Sequence, residues 1–334
     1  MPLHFKVTGD TDVGLVRTAN EDCLHLDEKN RVFAVCDGMG GHQAGEVASM
    51  MAADILDIIF NHFSSEVLQD QRLSIEPSLP AGGDILVKAI RLANRAIYNT
   101  AVEKPTLLGM GTTIVSLVLQ DDVLSVAHVG DSRAYRVAER TLEPLTVDHS
   151  WVAEIQQNQK LTEEEAASVV GKNVITRALG VRETVEVDYR LIKVKAGDKF
   201  MICSDGLCGF ADDDEMFSVI HRVRNDNERI VRSLIQMAND RGGADNVTVA
   251  VLEIIDASES DIEAVERLTI RAETPAELET EDAWLEKINL FITQREERSA
   301  HQPPGKPVKK SVIVLIFSLF VIIAAVIIYL SVAR

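Results

Sequence analysis

The sequence predicts an α+β domain built on mainly antiparallel sheets, and three observations carry that expectation. Short apolar or alternating runs recur along the first 255 residues, as strands require. The helical patterns come in adjacent blocks and do not alternate strictly with those runs, which argues against a doubly wound parallel sheet. Two of the runs are joined by "QDDVL" at Gln120–Leu124, a polar link of hairpin length. With 334 residues, 46% hydrophobic and 26% charged, the chain has room for one large ordered domain or two small ones.

In chain order, the expected strands are Val32–Cys36, Thr113–Leu119, Val123–Val129, Tyr189–Val194, Lys199–Cys203 and Asn246–Ile254. The first expected helix is Ala44–Phe63, with Val47, Met51, Ile55, Ile58 and Ile59 on one face. A second covers about Ile85–Val102, and a third about Glu228–Asp240, stopped by Gly242 and Gly243. Residues 64–83 carry two prolines and a Gly-Gly pair and read as a surface loop. From Asp256 to Lys310 the chain turns acidic and poor in large apolar residues, as a solvated linker does. Within it, 281–298 places Trp284, Leu285, Ile288, Phe291 and Ile292 at helical spacing. Such an amphipathic helix lies on the domain, on a membrane surface or on a partner.

The C-terminal segment has a different character. About 22 uncharged, mostly apolar residues run from Val312 to Ala333. As a helix they would reach roughly 33 Å, enough for a bilayer core of about 30 Å. Residues 311–333 are therefore expected to form a single transmembrane helix. Lys306, Lys309 and Lys310 precede it, and the positive-inside rule then puts residues 1–310 in the cytoplasm. The N-terminal stretch "MPLHFKVTGDTDVG" has no apolar core of a signal peptide. Cys23, Cys36, Cys203 and Cys208 form no C-x-x-C pair, which leaves out the usual zinc and redox signatures. A net charge of −18, from 52 acidic and 34 basic residues, speaks against nucleic acid as a partner. That charge serves solubility, or it includes carboxylates that gather around cations.

The chemistry-bearing signal is a repeated aspartate at strand ends. Asp22 stands in "RTANEDC", Asp37 in "AVCDGMGGH", Asp131 in "AHVGDSRAYR", Asp205 in "MICSDGLCG" and Asp245 in "RGGADNVTVAVL". One Asp-Gly is most often a turn. Five such strand ends gathered at one sheet edge would repel unless cations bind between them. Carboxylates, a carbonyl and water suit Mg²⁺ or Mn²⁺, with Ca²⁺ left open by composition.

"VGLVRTANED", "DGMGGHQAGE", "GMGTT", "VGDSRAYR", "LTVDHS", "VITRALG", "SDGL" and "DNVTV" occur in this order over about residues 8–255. In that order and wording the chain resembles the metal-dependent protein phosphatases, the type 2C serine/threonine phosphatases, in their bacterial form. The resemblance implies a four-layer α-β-β-α sandwich, two central antiparallel sheets flanked by helices, with a dinuclear Mg²⁺ or Mn²⁺ site at one end. It implies that Asp37 bridges both metals, that the Gly38 carbonyl is a further ligand, and that Asp205 and Asp245 hold the first metal. Glu21 and Asp22 would act through waters, and Asp131 would help hold a weaker third ion. Arg17 would clamp the phosphate, a task suited to a planar two-pronged donor. The implied reaction is hydrolysis of phosphoserine and phosphothreonine in proteins by an activated water, without a phosphoenzyme.

The resemblance is incomplete at one point. Well-studied eukaryotic members carry a histidine two residues after the bridging aspartate, where this chain has Met39. His42 is near. It protonates the leaving oxygen, supports the site or simply stands at the helix entry. His149 reads as structural and His128 as a core or supporting histidine. Residues of about 150–172 resemble the flap beside the active site of bacterial relatives. Beside an active membrane-tethered phosphatase stand two other readings, a phosphoprotein-binding pseudoenzyme and a membrane adaptor. A membrane-bound Ser/Thr kinase is the expected counterpart of a tethered phosphatase, because tethering raises effective concentration.

Overall fold

The computed structural model describes residues 3–41, 44–73, 75, 79–159, 174–257 and 264–300. Among these, the strands form two sheets. The smaller joins β1 (His4–Asp12), β11 (Val247–Asp256), β10 (Lys199–Cys203), β7 (Arg133–Val137) and β8 (Leu142–Pro144), in that spatial order. The larger runs β12 (Val265–Ile270), β9 (Val187–Lys193), β6 (Val123–Val129), β5 (Ile114–Gln120), β3 (Val32–Met39) and β2 (Asp22–Asp27), with β4 (Gly111–Thr112) on the end of β3. All pairings are antiparallel.

The continuous apolar runs follow from burial on both faces of each sheet. Along β3, Phe33 and Val35 enter the layer between the sheets with Val115, Leu117, Phe200, Ile202 and Leu252. Val32, Ala34 and Cys36 point the other way, into a helical layer. That layer contains α1 (Ala44–Ile58), α3 (Ala81–Glu103) and α8 (Pro275–Ala300). Met201, Cys203, Val249 and Val251 lie on the outer face of the smaller sheet. They pack beneath α6 (Asp213–Arg222) and α7 (Asn227–Asp240). The order helix, sheet, sheet, helix is the expected four-layer sandwich.

Several elements differ from expectation. β3 continues through Asp37 to Met39 because β4 supplies partners for its last two residues, Gly38↔Thr112 and Met39↔Gly111. The helix expected to Phe63 changes to a π turn at Ile59–Phe63 and runs on as α2 (Ser64–Gln69) inside the expected loop. β1 and β2 are too polar and irregular in alternation to read as strands, yet each pairs along its length.

The largest difference lies after Asp256. In place of a solvated linker, β12 extends the larger sheet and α8 packs on the domain. Trp284, Leu285, Ile288 and Ile292 are buried in the same core as α1 and α3. Trp284 Nε1 donates to Asp70 at 2.9 Å, and Phe63 meets both Trp284 and Phe291 edge-on. The acidic residues that suggest solvation find cations instead. Arg95 takes Asp282 through two bonds of 2.7 Å, and Arg271 takes Glu277 at 2.8 and 3.0 Å. Among the described residues, no helix is long and apolar enough to cross a membrane. The expected span, 311–333, lies outside them.

Candidate active site

Antiparallel pairing brings the strand ends that carry aspartates to one end of the sandwich. β2 begins at Asp22, directly opposite Asp37 on β3. β10 ends at Cys203, and Asp205 opens the short helix α5 (Asp205–Cys208) two residues on. Asp131 and Asp245 each lie two residues before a strand, β7 and β11. Arg17 and Glu21 occupy the connection from β1 to β2.

The electrostatics shows how close these groups are. The Asp37 carboxyl is held well above the usual range by burial first, then by the charges of Asp22, Asp205 and Asp131. It also shares a hydrogen bond with Asp205, whose own carboxyl is raised by burial. Asp22 and Asp131 are each pushed up to about 7, again chiefly by burial, with Asp205 adding to both. Glu21 is raised by burial and eased by Arg17.

Backbone and uncharged side chains fix the carboxylates. Asp22 Oδ2 accepts from Ser204 Oγ at 2.8 Å and Thr248 Oγ1 at 2.7 Å. The Asp37 amide donates to Thr113 Oγ1, and its carbonyl accepts from the Thr113 amide and Thr112 Oγ1. Asn246 is a buried hub. Its Nδ2 donates to the carbonyls of Val13 and Ala19, both at 2.9 Å, and its Oδ1 accepts from the Glu21 amide at 2.8 Å. Ser204, Thr248, Thr113 and Asn246 were missed as site residues in the sequence. The available signal was their position within one to three residues of a strand-end aspartate or directly across a ladder from one.

The glycines of "DGMGG" have two uses. A Cβ at Gly38 would come within 2.2 Å of the Gly45 carbonyl and 2.6 Å of the Glu21 carbonyl. Only glycine lets the start of α1 approach β3 this closely. Gly40 and Gly41 take φ of 137° and 73°, which turns the chain into α1. His42, between them and the helix, lies outside the described residues.

The residues fit divalent cations. Glu21 Oε1, Asp22 Oδ1 and Asp131 Oδ1 are buried without a hydrogen-bond partner, a costly state unless a ligand meets them. Among the described residues, the triplets whose ligand atoms fall within 4.8 Å of one another are elsewhere, at His128/His149/Asp188 and His25/Asp27/Asp57. The strand-end carboxylates are spread more widely, an arrangement for more than one ion with water completing each shell. The first triplet is already satisfied. His128 Nε2 bonds the Val147 carbonyl, His149 Nδ1 accepts from the Gly130 amide, and Asp188 takes Arg177, Arg267 and Thr269. His128, pushed down to about 4 by burial, is a core histidine stacked on His149.

Arg17 stands at the rim. Its Nη2 donates to Asp245 Oδ2 at 2.8 Å, while half of the side chain is exposed. It keeps donors available to an incoming anion. Of the flap expected at 150–172, α4 (Trp151–Gln159) is described and residues 160–173 are not.

The family profile described as protein phosphatase 2C matches residues 10–247. The chain belongs to that family. Its membership makes it a protein phosphatase. The Ser/Thr phosphatase Stp of Listeria welshimeri is 35% identical over 246 residues, covering 73% of this chain and 93% of the relative. PstP of Mycobacterium tuberculosis is 36% identical over 257 residues, 76% of this chain and 46% of that protein. The solved PstP domain from that organism superposes with a TM-score of 0.65 at 31% identity, covering 77% of this chain and all of that one. A PstP catalytic domain in complex with two manganese ions gives 0.64 at 32% identity, covering 76% and 100%. PppA, a regulatory component of type VI secretion in Pseudomonas aeruginosa, gives 0.63 at 32%, covering 75% and 98%.

Proposed function

We propose that this chain hydrolyses phosphoserine and phosphothreonine in proteins, with Mn²⁺ or Mg²⁺ as cofactor. The observation that carries the reading is the convergence of Asp22, Asp37, Asp131, Asp205 and Asp245 with Glu21 and Arg17 at one sandwich end, with three carboxylate oxygens left bare. Asp37, the Gly38 carbonyl, Asp205 and Asp245 would hold two ions, with Asp131 toward a weaker third and Asp22 and Glu21 acting through water. When bound, such ions supply positive charge that acidifies water and draws in the phosphoryl group.

The chain's own residues supply the rest. Ser204 and Thr248 hold the Asp22 carboxylate, and Thr112 and Thr113 hold the Asp37 backbone, before substrate arrives, so little reorganisation is left for the reaction. Arg17, steered by Asp245, presents its free donors to the equatorial phosphoryl oxygens and aligns phosphorus for in-line attack. Single-turnover hydrolysis of a phosphothreonine peptide in ¹⁸O-water tests the route. Label in the released phosphate, with no phosphoprotein trapped by acid quench, fits direct attack by water. A trapped phosphoenzyme would exclude it.

The second half of the proposal is a tether. The apolar segment 311–333 would hold the catalytic domain at the cytoplasmic face of a membrane, opposite Ser/Thr kinases anchored there. The support is the length and flanking lysines of that segment. Fractionation of cells expressing the full chain and a version ending at residue 300 tests it. The full chain should require detergent for release and the shorter one should not; equal release of both would overturn the tether.

A further inference from the structure

A second constellation of metal-ligating groups lies away from the catalytic end. His25 and Asp27 sit in the outer half of β2, and Asp57 sits in the last turn of α1. One ligand atom from each lies within 4.8 Å of the others. His25 Nε2 is buried and has no hydrogen-bond partner. Burial holds the imidazole below its ordinary range. Asp57, Asp27 and Asp54 face that ring.

The carboxylates around it are already oriented. Asp27 Oδ1 accepts from the Asn30 amide at 3.0 Å, and Oδ2 accepts from the side chains of Asn30 at 2.6 Å and Asn61 at 3.0 Å. Asn61 also donates to Asp57 Oδ1 at 3.2 Å. Lys29 Nζ bonds Asn61 Oδ1 at 3.1 Å and not a carboxylate. His62, whose pKa is lowered by burial, faces Asp57, Lys29 and Arg295 of α8. The local arrangement is an imidazole with one buried, unpartnered nitrogen, beside carboxylates that amides hold in place. Outer amides orient ligands in this way at metal centres.

We propose that His25, Asp27 and Asp57 form a further divalent-cation site that ties the outer end of β2 to the end of α1. One imidazole and two carboxylates suit a borderline ion of the Mn²⁺ to Zn²⁺ class. Ligand atoms around such an ion stand about 3.4 Å apart, so the triplet needs only to contract. The site would act on structure. β2 carries Asp22 at its other end, and the start of α1 presses Gly45 against Gly38. An ion here fixes the two elements that frame the catalytic end, without touching substrate.

The test uses the full chain, with wild type compared with His25→Gln and Asp57→Asn. Equilibrium dialysis against Mn²⁺ and, separately, Zn²⁺ should leave each variant with one bound ion fewer than wild type. Phosphopeptide hydrolysis at saturating Mn²⁺ should change less than about twofold. Crystals of the wild type soaked in Zn²⁺ should show anomalous density between the His25 ring and Asp57, which decides the matter if the variants fail to fold. Equal ion counts in wild type and folded variants, or a soaked crystal without that density, would overturn the site. These outcomes are separate from turnover at the catalytic end.

Discussion

Asp22 and Asp37 stand directly opposite each other across the antiparallel β2–β3 ladder, with their side chains on one face. Like charges in that position destabilise a sheet, and each raises the demand for a cation. Ser204 and Thr248 hold one oxygen of Asp22 and leave the other bare. This pairing brings β2 and β3 to a common metal-binding edge, while Asp205 arrives from the opposite sheet.

Asn246→Ala removes the hub that binds two carbonyls and the Glu21 amide. Three polar groups lose their partner, the half-buried Glu21 amide and the carbonyls of the exposed Val13 and Ala19, a cost of about 1–2 kcal/mol. Thermal unfolding should show a clear fall in Tm. Mn²⁺ affinity should weaken as well, because the Arg17–Glu21 connection loses its support.

Arg17→Ala should lower kcat/KM for a phosphopeptide by about 100-fold while leaving Tm nearly unchanged. The asymmetry follows from exposure. Its ion pair with Asp245 is half in water and contributes little to folding, whereas a phosphoryl group uses its geometry directly. Arg17→Lys should recover only part of the loss, since an ammonium lacks the fork. Steady-state kinetics with both variants checks this.

Glu281 gives a pH dependence unrelated to the metal site. It is buried in α8, both of its carboxylate oxygens lack partners, and burial, then Glu273, pushes it up to about 8. Arg91 and Arg95 oppose that shift, and Glu277 adds to it. A raised carboxyl stabilises the fold fully below its ordinary value of 4.5 and loses that stabilisation as pH rises through about 8. Wild-type Tm should therefore fall between about pH 5 and about pH 8 and level off above, and Glu281→Gln should fall several degrees less. Parallel curves for the two proteins would contradict the assignment.

Trp284→Ala should cost about 3–5 kcal/mol, as a buried aromatic does. The residue packs with Phe63 at the π turn and bonds Asp70. Under a solvated-linker reading the same change would be silent. Denaturant unfolding separates the two.

The sequence made the sheets legible wherever a strand is buried on both faces. Val32–Cys36 and Lys199–Cys203 lie in two cores at once, so their apolar runs are unbroken. It hid β1 and β2, whose outward positions are polar; of α8 it showed the apolar stripe at 281–298 but not the start at Pro275 or the surface it packs on, because the acidic charge pattern resembles solvent exposure. Asp282 and Glu277 read as solvated because Arg95 and Arg271, their partners, could not be placed from spacing. The aspartates were readable because each stands beside a strand end. Asn246 and Thr248 were not, since their value depends on which strand lies across from them.

The central claim is that this end of the sandwich is a working metal-dependent phosphatase site. Phosphate release from a phosphothreonine peptide, with Mn²⁺ added to metal-free protein, tests it most directly. The account predicts turnover that rises with Mn²⁺, vanishes with chelator and drops at least about 1000-fold in Asp37→Asn. Absence of turnover in protein shown to bind Mn²⁺, or full activity in Asp37→Asn, would contradict it.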